Sequence, residues 1–169
     1  IFRNGRLMMK IASFVYRKIL SSKSRFIRKI WIILRHYLIR LFNDCNCTLE
    51  IHGRLLKLPL SHQLPFYIKD YSLYDKLPRR VSTYIRSKYG RLNCIDVGAN
   101  IGDTIASFYI SEEDTFLAIE PERKFKELLV ENWGWNKNVT ILDCLCSSSS
   151  NDGEYQDVIC SVSDNLNKK

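Results

Sequence analysis

Two short stretches hold the residue types that could act together on a ligand. The first is CIDVGANIGDT at positions 94–104. Cys94 to Val97 are of buried-strand type, with Asp96 as the one acid, and they run straight into Gly98. Asn100, Gly102 and Thr104 follow, and Ile105 to Ile110 reads as a helix. A strand, a glycine turn and a helix start in one span leave backbone N–H groups at the mouth of a parallel sheet, where a ligand can use them. Gly98 suits a turn at positive φ, and Gly102 allows a ligand or neighbouring backbone to come close. The second stretch is TFLAIE, positions 115–120, an apolar strand ending in Glu120. That acid lies roughly 20 residues beyond the glycine turn, where adenosine-binding folds place the carboxylate that takes ribose hydroxyls.

The spacing separates ligand classes. A dinucleotide site reads G-x-G-x-x-G, and here Asn100 stands where a second turn glycine would be needed, which disfavours an NAD-dependent oxidoreductase. Asp96 at the strand end would repel a pyrophosphate, yet it suits a ligand carrying ammonium and sulfonium charge. S-adenosylmethionine is such a ligand.

At these residues the chain resembles the FkbM family of S-adenosylmethionine-dependent methyltransferases. The resemblance rests on CIDVGANIGDT and on FLAIEPERKFKELLVENW, is sharpest at Ile95–Thr104 and Ile119–Pro121, and extends loosely over Thr48 to Asp157. It implies a Rossmann-like class I methyltransferase fold of the α/β class that O-methylates hydroxyls of a sugar, a glycan or a natural product. It also implies a cofactor site: Asp96, Gly98, Ala99, Asn100, Gly102 and Thr104 around the methionine part, with Glu120 and Pro121 at the ribose. Asp103 is equally well a helix-start acid that favours the helix dipole. Family members continue with a strand bearing a Lys-x-Asp-Val-Glu-Gly-like segment, which does not occur before Lys169. The expectation is therefore a methyltransferase domain without its C-terminal half, inactive by itself and with no nameable catalytic residue. The alternative is a non-catalytic remnant that binds the cofactor or a partner.

The elements that must position these residues follow from pattern. The chain of 169 residues is 46% hydrophobic and 26% charged, which is globular composition. Its net charge of +8 is unevenly placed: residues 1–45 hold 11 of the 26 Lys and Arg but one of the 18 acids, Asp44. The reading is a basic helical arm over 1–45 and a partial Rossmann-like domain over 46–169 that begins with a hairpin.

Residues 1–24 are mixed basic and apolar, with a flexible run at Ser21–Ser24. Arg25–Phe42 reads as one helix whose apolar residues cover most of its circumference, leaving a basic stripe of Arg25, Arg28, Lys29, Arg35, His36 and Arg40. It is too interrupted by charge to span a bilayer. Either it packs on its own domain or a partner, or it lies on an anionic membrane surface. Nucleic acid is not an expected partner, because the basicity does not extend to the rest of the domain.

Cys47–Leu58 alternates about His52-Gly53 as a hairpin. In Leu60–Tyr74, Pro65 argues against a regular helix at the start. His62, Tyr67, Tyr71 and Tyr74 are candidates for ligand contact or for packing of the hairpin. Pro78–Tyr89 reads as a helix with Val81, Tyr84 and Ile85 inward, a solvated face of Arg79, Arg80, Arg86 and Lys88, and Gly90 as its C-cap. Strands follow at Leu92–Val97, Thr115–Glu120 and Val139–Leu145, parallel because helices connect them. Ser111–Asp114 reads as a polar surface loop, and Pro121 as the first turn of a helix running to about Trp133, with Phe125, Leu128 and Leu129 buried. Asp143 is a strand-end acid near an adenine site or facing water. A further strand is expected near Tyr155–Val162.

Six cysteines occur, with two C-x-C pairs but no C-x-x-C and no flanking histidine, so no metal site is expected. Cys94 and Cys144 fall in expected strands, where a reduced cysteine is simply a small buried hydrophobe, and a reducing cytoplasm fits best, with peripheral placement at the inner face of the membrane if the helix binds lipid.

Overall fold

The computed structural model describes residues 2–71, 73–74 and 76–146. The loop at 147–153, the strand expected near Tyr155–Val162, Cys160 and the tail lie outside the described residues. The chain divides into two compact units, Ile1–Arg80 and Val81–Lys169. The hairpin therefore belongs with the helices of the first unit, whereas the sequence reading divides the chain at 45/46. Among the described residues, no helix is long and apolar enough to cross a membrane.

The first unit opens with two helices, α1 (Phe2–Ser21) and α2 (Arg25–Leu41). A helix over the first 20 residues is not anticipated from composition, yet Ala12, Val15, Tyr16 and Ile19 fall at helical spacing and all are buried. The hairpin follows as β1 (Asn46–Ile51) and β2 (Arg54–Pro59), antiparallel with Ile51 opposite Arg54. His52 and Gly53 have φ of 52° and 79°, the left-handed pair that a two-residue hairpin turn requires. Cys47, Leu49 and Ile51 alternate inward on β1, as do Leu56 and Leu58 on β2. α1 packs on both α2 and β1, and the Ser13 hydroxyl ties them by accepting from the Thr48 N–H at 2.8 Å. Asp44 clamps the far end of the hairpin, accepting from the Ser61 N–H and hydroxyl at 2.8 and 2.7 Å.

Two expectations fail in this unit. A regular helix, α3 (Leu64–Asp70), does form at Pro65, because proline is tolerated in the first turn where its missing N–H has no intrahelical partner. Arg35 does not join the basic stripe. It is 3% exposed, its Nε donates to the Leu60 carbonyl at 2.7 Å, and its guanidinium lies 5.1 Å from the ring centres of both Tyr16 and Phe66. Stacking between two aromatic faces is what makes a buried arginine tolerable without a carboxylate.

The second unit begins within α4 (Lys76–Tyr89), which ends at Gly90 with φ of 80°. Its inward residue is Ser82, while Val81 and Tyr84 are exposed, contrary to the apolar face read from the sequence. Strands β3 (Asn93–Val97), β4 (Thr115–Ile119) and β5 (Val139–Leu142) form a parallel sheet in the order β3-β4-β5. Helix α5 (Asp103–Phe108) joins the first two strands and α6 (Arg123–Trp133) the second two. The fold is thus mixed α/β. Central β4 is the best buried strand, through Phe116, Ala118 and Ile119, and Ile105, Leu128, Leu129 and Trp133 complete the core.

The loop before β4 is not simply polar surface. Asp114 is fully buried and receives the Arg86 guanidinium at 2.6 Å, so Arg86 leaves the solvated face assigned to it.

Candidate functional site

The expected glycine turn sits at the C-terminal edge of the parallel sheet, between β3 and α5. Gly98, Asn100 and Gly102 have φ of 80°, 51° and 83°, so the chain coils through three left-handed positions within five residues. Asparagine is among the few residues with a side chain that adopts this region readily.

The coil is fastened from below. The N–H groups of Gly98 and Ala99 both donate to the Ile119 carbonyl at the end of β4, at 2.8 and 3.0 Å. The Asn100 N–H donates to Glu120 Oε2 at 2.8 Å, and the Gly102 N–H to the Ala99 carbonyl at 2.8 Å. Glu120 Oε1 accepts from the Glu122 N–H, also at 2.8 Å. Four of the turn's donors are thereby used inside the chain. The expectation that the N–H groups of this span stand open to a ligand is corrected for these four.

Gly102 serves another purpose than ligand approach. A Cβ there would lie 2.3 Å from the Trp133 ring and 2.9 Å from Leu129, and the Trp133 indole N–H donates to the Gly102 carbonyl at 2.9 Å. The missing side chain makes room for α6. At Gly98, by contrast, an added Cβ meets nothing within 4 Å, so that position faces open space.

Asp96 is the penultimate residue of β3 and is partly buried. Its Oδ2 is a buried oxygen with no hydrogen-bond partner among the described residues. Burial raises its carboxyl above the usual range; the Thr104 hydroxyl pulls it partly back, and the Glu120 charge pushes it up again. Asp96, Thr104 and Glu120 therefore share one electrostatic environment. Glu120 is buried at 6% exposure, and two of its four acceptor positions remain after the two backbone donors. Pro121 is exposed and precedes Glu122, the N-cap of α6, so it lies just before the first turn in which the sequence reading puts it.

A groove lies beside this edge, lined by Pro121, Arg123, Lys126, Glu127, Val130 and Asp143 among others. Asp143 follows β5 with its side chain 38% exposed, as an acid facing water would be, and its carboxylate pairs with Lys126 Nζ. The glycine-turn residues do not line this groove. His62, Tyr67, Tyr71 and Tyr74 belong to the first unit. The His62 carbonyl takes the Tyr16 hydroxyl, and Tyr67 stacks on Tyr74 at 5.8 Å.

The arrangement presents carboxylates where a phosphate site would present N–H groups. Trp133 escaped the sequence reading as a determinant of this edge, and Asp114 as one of the opposite, N-terminal end of the sheet. Compared with protein-family models, curated proteins and solved structures, the chain matches none of them.

Proposed function

We propose that the edge formed by Asp96, Gly98, Ala99, Asn100, Thr104 and Glu120 binds S-adenosylmethionine, and that the chain is the donor-binding part of a Rossmann-like O-methyltransferase acting on sugar or natural-product hydroxyls. The observation that carries this reading is Asp96 Oδ2, a buried oxygen without a partner among the described residues and in the field of a second carboxylate. A cationic ligand relieves both costs at once, since it supplies the missing partner and offsets the repulsion. A pyrophosphate would add to them. Four N–H donors of the turn, those of Gly98, Ala99, Asn100 and Gly102, are already engaged by Ile119, Glu120 and Ala99.

The residues fit the ligand in parts. Asp96 would face the ammonium and sulfonium end beside Thr104, and Gly98 would give that end clearance. Glu120 would accept ribose hydroxyls through its remaining lone pairs. When bound, the cofactor supplies an activated methyl group. The chain's part is to orient that group by charge and shape, which is where a displacement reaction gains most of its rate. Gly102 is not counted among the contacts, because Trp133 fills its side-chain space.

Calorimetric titration of S-adenosylmethionine into the chain tests this. Asp96→Asn keeps size and most hydrogen bonding but removes the charge, and should weaken binding about 30-fold or more, the usual scale for one partner of a desolvated charge pair. Equal binding by parent and variant would assign Asp96 a structural role only.

A further inference from the structure

The outward side of α2 is its most hydrophobic side. Phe26 and Leu41 are each 72% exposed, and Ile27, Ile30, Ile33 and Tyr37 are exposed with them. At 3.6 residues per turn these positions share one arc of about 120°. The side packed inward carries Leu38 and, unusually, Arg35. Arg28, half-buried, has its charge paired with Asp70 at 2.9 Å. What remains of the basic stripe is Arg25, Lys29, His36 and Arg40, all exposed and lying along one border of the apolar arc. α1 repeats the design: Leu7, Ile11 and Phe14 are exposed, bordered by Arg6, Lys10 and Arg17. The edge of the Phe14 ring meets Trp31 at 5.8 Å between centres, which joins the two helices.

An exposed stripe of this length on a folded unit marks a docking surface. We infer that the outer face of α2, with α1 beside it, seats on an anionic lipid bilayer, with the apolar arc in the acyl boundary and Arg25, Lys29 and Arg40 at the headgroups. Charge decides the occupant. The two helices contain no acidic residue, and Asp44 is the only one before residue 50. A second copy docked on this face would therefore bring two basic helices together with nothing to neutralise them. A bilayer with anionic headgroups offers apolar depth and opposite charge on one plane. The bordering lysine and arginines reach the headgroup level with their aliphatic stems along the apolar surface. This inference is independent of the donor site.

The test is cosedimentation of the full chain with vesicles of phosphatidylcholine alone and with about one third phosphatidylserine. Binding to the anionic vesicles, weak binding to the neutral ones and weakening by salt are expected. Combined Arg25→Glu, Lys29→Glu and Arg40→Glu should reduce binding by about fivefold or more for each cation reversed. Combined Phe26→Ser, Ile30→Ser and Ile33→Ser should reduce it at least as far, and both sets lie on exposed positions, so the far-ultraviolet spectrum should be kept. Equal binding to both vesicle types, or binding unchanged in the serine variant, would overturn the inference. The second of these would mean an arm for a polyanion instead. A parent that sediments as a dimer and dissociates only in the serine variant would assign the face to a second copy and overturn it equally.

Discussion

Asp114 and Arg86 meet at 2.6 Å at the point where three segments of the second unit converge. The Asp114 carboxylate also accepts the N–H groups of Leu92, Ile110 and Ser111 at 2.9, 3.2 and 3.0 Å. Arg86 in turn donates to the Phe108 carbonyl. One ion pair thus fixes the end of α4, the entry to β3 and the turn into β4.

Removing either partner leaves the other charged and buried. Asp114→Ala and Arg86→Met should each cost about 3–5 kcal/mol, and the double variant less than their sum. Urea unfolding of the set checks this.

The same pair predicts a pH dependence. Burial pushes the Asp114 carboxyl up, but the Arg86 guanidinium and the N–H groups of Ser111, Ile110 and Leu92 outweigh it and hold the carboxyl below its usual range. A depressed folded value stabilises above the unfolded carboxylate value of about 3.9 and fades as pH falls through the folded one. Parent stability should therefore drop steeply below about pH 4, and the drop should be shallower in Asp114→Asn. Equal slopes in the two proteins would remove Asp114 from the account.

Two glycines of one turn should respond differently to the same substitution. Both sit in the left-handed region, which costs a residue with a side chain about 1–2 kcal/mol. Gly98→Ala should cost that much and little more, since its Cβ meets nothing. Gly102→Ala must also displace Trp133, and overpacking of this kind adds about 1–3 kcal/mol. Thermal unfolding of the two variants reads the difference directly. Equal losses would mean that α6 adjusts freely.

What could be read from the sequence was local. His52-Gly53 marks a hairpin because two left-handed residues in a row have few other uses. The strand, glycine turn and second strand around Gly98 and Glu120 announce themselves by short-range pattern. Asp114 and Arg86 could not be read this way. Each is polar in a polar stretch, and they are made partners only by folding across 28 residues. Arg35 was hidden for the same reason, since its rings come from α1 and α3. Pro65 misled because proline breaks helix interiors but not helix starts.

Asp96 should show a trade between stability and binding. Its carboxyl is raised by burial and by Glu120 despite the Thr104 hydrogen bond. For an acid, a raised folded value means that ionisation opposes folding. The penalty is present in full above the folded value and disappears as pH falls through it to the unfolded value. Asp96→Asn should therefore unfold at a higher temperature than the parent at neutral pH, and the gain should shrink on acidification. A variant less stable than the parent at neutral pH would mean that the carboxylate's contacts outweigh its repulsion, and would weaken the case for a cation site.

Cysteine reactivity offers a test of the first unit. Cys47 lies in β1 with no exposed surface, and its thiol is pushed up to about 12 by burial and by Cys45, against the opposing effect of Arg35. At pH 8 its thiolate fraction would be about one part in ten thousand even with free access. Cys146 is exposed. Alkylation followed by peptide mass spectrometry should modify Cys146 within minutes and Cys47 only after denaturant is added. Since α1 packs over β1, labelling of Cys47 at the rate of Cys146 would mean that α1 lifts from the hairpin in solution, and the unit would have to be drawn without it.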